Sequence, residues 1–176
     1  SQAEHDPAAQ SILVTDDAAL AEETGRAVER RLQRLARGEI AGASWRDNGA
    51  LIVAESLPAA ARLSNRVAPE HLELAVADPE ALLPAIRHAG AIFLGTRTPE
   101  AVGDYVGGPN HVLPTARAAR FSSGLSVLDF MKRTTLLGAS PEGLAAIGPA
   151  AETLAMAEGL EAHALSIRAR LDGDAE

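Results

Sequence analysis

Ile12-Leu13-Val14 and Leu51-Ile52-Val53 are short apolar runs, and the segment between them decides the fold. Leu20, Thr24, Ala27, Val28, Leu32 and Leu35 recur at helical spacing, which predicts one helix over about residues 17–37. Asp16 or Asp17 can cap its start, Glu22 and Glu23 fall in the early turns, and Arg34 and Arg37 precede Gly38. Acids first and bases last suit the helix macrodipole, so these charges read as structural. A strand, a helix and a second strand in this order imply a parallel sheet covered by helices.

The same alternation continues outward. Leu72-Glu73-Leu74-Ala75-Val76 and Ala91-Ile92-Phe93-Leu94 read as strands. Shorter helices fit residues 58–67, 79–89 and 99–106, with Pro84 bending or shortening the second. The expected fold class is therefore α/β, with an incomplete doubly wound, Rossmann-like, mostly parallel sheet. Its open edge needs covering by further sequence or a partner. From Val106 to Gly124 the pattern dissolves into a polar loop containing Gly107-Gly108-Pro109-Asn110-His111, and loops of that length are usually functional or linkers. Leu125 to Leu137 reads as a strand or extended arm. Residues 141–171 read as an Ala-rich helical tail, interrupted at Gly148-Pro149 and at Gly159. A boundary near residue 124 would separate an α/β domain (1–124) from an arm and helical tail (125–176). Ser1-Gln2-Ala3-Glu4-His5 already reads as helical, as expected of a piece of a longer protein.

Composition narrows the class. The chain is 47% apolar, much of it alanine, and only 3% aromatic, so the core is expected from Leu, Ile and Val. The net charge of −8, with one Trp and one Tyr, argues against nucleic-acid binding. No apolar run is long enough to span a bilayer, which leaves a membrane role unsupported. Without cysteine, any metal must be held by nitrogen and oxygen ligands. The absence of a signal peptide leads to the expectation of a cytoplasmic protein.

Glu70-His71 is the first candidate for chemistry, because an adjacent acid and imidazole supply two proton-transfer groups. The competing reading is a helix start, as at Asp78-Pro79-Glu80, Thr98-Pro99-Glu100 and Ser140-Pro141-Glu142, each with a cap, a proline and an acid. That explanation is weaker at Glu70, where Ala68 stands in the cap position. Gln2 and His5 are three apart, on one helical face; with Asp104 and His163 they form a plausible N/O set for Zn²⁺, against the alternative of ordinary surface polarity. His111 lies in the Gly-rich loop, where it serves either a ligand or a nearby carbonyl. Glu158 and His163, five apart, can share a site only if Gly159 breaks the helix or a new helix starts there. His88, at the end of a helical segment, suits the dipole and is given no chemistry.

The motif order resembles the histidinol dehydrogenase family. The resemblance is carried by Ser1-Gln2-Ala3-Glu4-His5-Asp6-Pro7, Ala68-Pro69-Glu70-His71-Leu72-Glu73-Leu74 and Gly90-Ala91-Ile92-Phe93-Leu94-Gly95. It continues through Gly103-Asp104-Tyr105-Val106-Gly107-Gly108-Pro109-Asn110-His111-Val112-Leu113-Pro114-Thr115, Arg120-Phe121-Ser122-Ser123 and Glu158-Gly159-Leu160-Glu161-Ala162-His163-Ala164. It runs from Gln2 to about Arg170. By position it implies Gln2, His5, Asp104 and His163 as zinc ligands that also bind substrate, Glu70 and His71 as the acid–base pair, and His71, His111 and Glu158 facing substrate. The implied reaction oxidises L-histidinol through an aldehyde to L-histidine with two NAD⁺. Family members are more than twice as long, and their N-terminal half supplies a second α/β domain and the NAD contacts. No Gly-rich turn between strand and helix occurs here, so no cofactor-binding residue is assigned and the NAD site is expected outside these residues. The resemblance also implies a homodimer whose tail helices exchange, bringing Glu158 and His163 to the partner's site. Two other classes compete with the dehydrogenase reading. One is a non-catalytic metal-binding or dimerisation module; the other, a zinc hydrolase, is weakened by the absence of His-Glu-x-x-His spacing.

Overall fold

In the computed structural model, which describes residues 1–173, Asp17 follows the first strand and caps the start of the first helix. Its carboxylate accepts hydrogen bonds from the N–H groups of Ala19 and Leu20 at 2.8 and 3.2 Å. These are donors that a helix's first turn leaves without intrahelical partners. Strand β1 (Ile12–Thr15) is followed by α1 (Ala18–Leu32), α2 (Gly38–Asn48), β2 (Ala50–Val53) and α3 (Leu57–Val67). Then come β3 (His71–Leu74), α4 (Pro79–Leu82), β4 (Ala91–Leu94) and α5 (Glu100–Tyr105). β1 pairs parallel with β2, Ile12 opposite Ala50; β3 pairs parallel with β4, His71 opposite Ala91. Each crossover carries a helix, as a parallel connection requires.

The α/β alternation and the parallel pairing match the sequence reading, but the sheet is not continuous. The described strands, each four residues long, form two separate two-stranded ladders, and no backbone ladder joins the pairs. The helix expected over 17–37 is also two helices. It ends at Leu32, and Arg37 becomes the N-cap residue of α2, with its guanidinium directed to the N-terminal segment instead of a helix end. α4 stops at Leu82 and passes into a 3₁₀ turn (Leu83–Ala85), the shortening expected of Pro84.

The core also differs from the expected Leu, Ile and Val. Around the strands its most buried apolar residues are Ala21, Ala41, Ala60, Ala61 and Ala68, with Leu74 and Phe93. Short strands under short helices bring backbones close, so methyl side chains fill the gaps, while larger ones such as Leu51 and Val53 remain exposed. Among the described residues no helix is long and apolar enough to cross a membrane.

The chain divides into two compact units, Ser1–Phe130 and the segment from Met131 onward. The first ends in a short 3₁₀ turn (Val127–Phe130), where the sequence allowed a strand or an arm. The second is built on α6 (Pro141–Ala157) and α7 (Glu161–Leu171), which pack on each other. Ser140 caps α6 by accepting from the Gly143 N–H at 3.1 Å. The Glu142 carboxyl is held below its usual range, first by its own backbone N–H and then by the Ser140 hydroxyl. Gly148-Pro149 does not interrupt α6, contrary to expectation. A Cβ on Gly148 would stand 3.1 Å from Leu171 and 3.3 Å from Ile167, so packing against α7 holds the helix together across the proline. Glu152 and Arg168 pair between the two helices. The break comes at Gly159, whose φ of +74° ends one helix before the next begins.

Candidate active site and metal centre

The backbone before His71 is shaped by a proline rule. Pro69 disfavours the right-handed helical region at Ala68, and α3 stops there with Ala68 in the left-handed region at φ 50°, ψ 62°. The Ala68 methyl is buried, and a non-glycine residue in this region costs about 1–3 kcal/mol, a strain that clusters at functional sites. The chain leaves this kink extended. The Pro69 and Glu70 carbonyls accept from Gly90 and Ala91 at 3.0 and 2.8 Å, and β3 begins at His71. Glu70 therefore lies outside any helical first turn, unlike the acids after Pro79, Pro99 and Pro141. Its carboxylate makes no hydrogen bond or ion pair among the described residues.

His71 is the centre of the site. Its Nε2 is buried, lies 3.3 Å from Asp104 Oδ2, and is too poorly aligned with it to make a hydrogen bond. The imidazole lies beside the Phe93 ring, with centroids 5.9 Å apart and planes inclined by 34°. Ligand atoms of His71, Glu100 and Asp104 lie within 4.8 Å of one another. Glu100 and Asp104 share one face of α5 because they are four residues apart. α5 comes close because Gly103 has no side chain: a Cβ there would stand 2.3 Å from Phe93 Cε1. The helix is also tied to the strand by Glu73, whose Oε1 accepts from the Glu100 N–H at 2.8 Å. Thr98, expected to cap α5, instead donates its hydroxyl to the Leu94 carbonyl at 2.8 Å, and Pro99 holds the cap position.

Gln2 and His5 lie on one 3₁₀ turn (Gln2–Glu4, closed by His5), where residues three apart stack one above the other. α2 fastens this segment. Arg37 donates to the Glu4 and His5 carbonyls at 2.8 and 3.4 Å, Asn48 to that of Pro7 at 3.0 Å, and Ser44 to that of Ala9 at 2.8 Å. The Ser1 hydroxyl reaches Glu100 Oε2 at 3.5 Å, which carries the segment to α5. His111 is exposed in its loop, beside an Asn110 turn closed by the Val112 N–H at 2.7 Å. Below that loop is a pocket of about 460 Å³ whose lining includes Phe93, Gly103, Pro109, Asn110 and Leu113. Glu158 is the C-terminal cap residue of α6 and His163 lies in the first turn of α7, both in the second unit, on either side of the Gly159 break.

The structure thus brings His71 together with Asp104 and sets Gln2 beside His5. Sequence reading places Glu100 at a helix start and gives Glu73 only a position within a strand. Two spacings carried the signal: Glu100 to Asp104 on a helix, and His71 to Glu73 on one strand face. Of the group His71, Glu100 and Asp104, Asp104 belongs to the ligand set that the resemblance implies, and carboxylate oxygen beside imidazole nitrogen is the donor chemistry that a divalent ion such as zinc takes.

A parallel α/β unit that gathers an imidazole and carboxylates beside a fastened Gln–His turn is the setting in which the comparisons with known proteins fall. The histidinol dehydrogenase family model matches residues 1–171, and the chain belongs to that family. It is 72% identical over 172 residues to histidinol dehydrogenase of Cereibacter sphaeroides and 67% identical to that of Ruegeria pomeroyi. Each match covers 98% of this chain and 40% of the relative. The crystal structure of histidinol dehydrogenase from Elizabethkingia anophelis matches with a TM-score of 0.85 at 38% identity, over 99% of this chain and 40% of that one. The chain therefore spans about 40% of the length of the relatives it matches.

Proposed function

We propose that these residues form the C-terminal part of a zinc-containing, NAD-dependent histidinol dehydrogenase, a cytoplasmic enzyme that oxidises L-histidinol through the aldehyde to L-histidine. The observation that carries the reading is the buried, unpartnered His71 Nε2 at 3.3 Å from Asp104. From that position the nitrogen can take the proton of a substrate hydroxyl that comes within hydrogen-bond reach. His71 takes the hydroxyl proton in the first oxidation and a proton of the hydrated aldehyde in the second. Glu70, with its free carboxylate, accepts a proton from the water that adds to the aldehyde. NAD⁺, which in this reading binds outside these residues, would supply the hydride acceptor for both oxidations.

Gln2, His5, Asp104 and His163 would hold zinc, and Glu158 and His111 would face the substrate. When bound, the ion supplies a fixed anchor for the substrate's imidazole and amine, a positioning role. In this reading residues 1–124 carry the acid–base pair and most ligands. Residues 125–176 form an arm and tail that exchange across a homodimer, so Glu158 and His163 serve the partner's site. The shared length of 40% supports a second reading, a module that binds metal or dimerises without turnover. NADH absorbance with L-histidinol and NAD⁺ in a complete enzyme carrying these residues separates the two. The dehydrogenase reading expects NADH to form; zinc binding without NADH would favour the module.

A further inference from the structure

We propose that Glu73 is a positioning residue, whose carboxylate caps α5 from the neighbouring strand and so holds Glu100 and Asp104 opposite His71. The inference rests on the metal and acid–base reading of this site. α5 is only six residues long, its N-cap is a proline, and no side chain of its own segment caps it. A helix this short has few internal hydrogen bonds and depends on outside contacts for its position. Glu73 supplies one, since its Oε1 accepts from the Glu100 N–H at 2.8 Å.

The geometry couples that contact to the chemistry. His71 and Glu73 are two apart on β3, so their side chains leave the same face of the strand. One strand face thus presents the imidazole and the carboxylate that anchors the helix opposite it. Glu100 and Asp104 then fall one turn apart on α5, with ligand atoms within 4.8 Å of the His71 nitrogen. Gly103 against Phe93 sets how close the helix comes, and Glu73 sets its register along the strand. Outer partners that fix metal-ligand positions typically change metal affinity by about 10–100-fold when removed.

The test compares Glu73→Ala and Glu73→Gln in a complete enzyme carrying these residues, with zinc affinity read by chelator competition and kcat and KM read separately on L-histidinol. Glutamine keeps an acceptor oxygen for the Glu100 N–H, whereas alanine removes it. The expected result is a loss of zinc affinity of about 10-fold or more in Glu73→Ala, with Glu73→Gln within about 3-fold of wild type and rescuing kcat. Wild-type affinity in Glu73→Ala would overturn the proposal. Equal losses in both variants would also overturn it, because the cap would then be irrelevant. If Glu73→Ala fails to fold, Glu73→Gln still decides, since an affinity far below wild type in a folded glutamine variant contradicts the capping role. A wild-type enzyme that binds zinc without oxidising L-histidinol would refute the dehydrogenase reading, while the affinity comparison still scores Glu73.

Discussion

Gly103→Ala is the smallest change that tests how α5 reaches the site. The added methyl would stand 2.3 Å from Phe93 Cε1 and 3.2 Å from Cδ1 and Cζ, against a buried ring that leaves 4% of its surface exposed. Ordinary contact begins near 3.4 Å, so α5 or the ring must move by about 1 Å. Alanine's better helix propensity offers about 0.5–1 kcal/mol in return. Overpacking a close-packed contact costs about 1–3 kcal/mol, so a net destabilisation of roughly 1–2 kcal/mol is expected. The ring that must move is the one beside His71, and a shift of about 1 Å at a reacting group can slow turnover about 100-fold. Urea melts and NADH-forming rates in a complete enzyme carrying these residues measure both effects. Gly42→Ala is the control, because a methyl at this α2 position meets nothing within 4 Å and should stabilise slightly. Stability and rate for Gly103→Ala both equal to those of the control would refute the close-approach reasoning.

Zinc content after removal of loosely bound ions should fall in His5→Ala, Asp104→Ala and His163→Ala, with far-ultraviolet circular dichroism retained; full occupancy in all three would contradict the ligand assignment. Arg37→Met should weaken zinc binding through the loosened Gln2–His5 turn, and unchanged affinity by chelator competition would show that Arg37 has no part in seating it. Glu142→Gln should lower the stability of the second unit at neutral pH, by an amount that pH-dependent melts can measure. The native carboxyl is held below its usual range, so its stabilisation is present above the unfolded value and lost as pH falls through the lower, folded one. A gap between wild type and variant that persists in acid would contradict that cause.

The parts of the fold that the sequence made legible are those governed by local rules. Asp17 as a cap, Pro84 shortening a helix, and Gly159 parting α6 from α7 all act within a turn of their own position. What stayed hidden depended on distant partners. The split at Leu32 goes with Arg37 turning toward the carbonyls of Glu4 and His5, some thirty residues away in sequence. α6 runs through Gly148-Pro149 because α7 packs there. The core came out richer in alanine than expected because backbone separation, which composition does not encode, decides which side chains fit. At the site, the motif blocks singled out His71 and Asp104, and the structure sets them 3.3 Å apart. Glu73 and Glu100 looked like ordinary charges until α5 was seen against β3.

The central claim is a division of labour between Glu70 and His71, and separate rates for the two half-reactions test it most directly. In a complete enzyme carrying these residues, NADH formation would be followed from L-histidinol and, independently, from the aldehyde. A positioned acid or base typically contributes about 100- to 10,000-fold, which makes the two profiles separable. His71→Asn should slow both oxidations, whereas Glu70→Gln should spare the alcohol step and depress the aldehyde step much more. Wild-type aldehyde oxidation in Glu70→Gln, or an unimpaired alcohol step in His71→Asn, would contradict the claim.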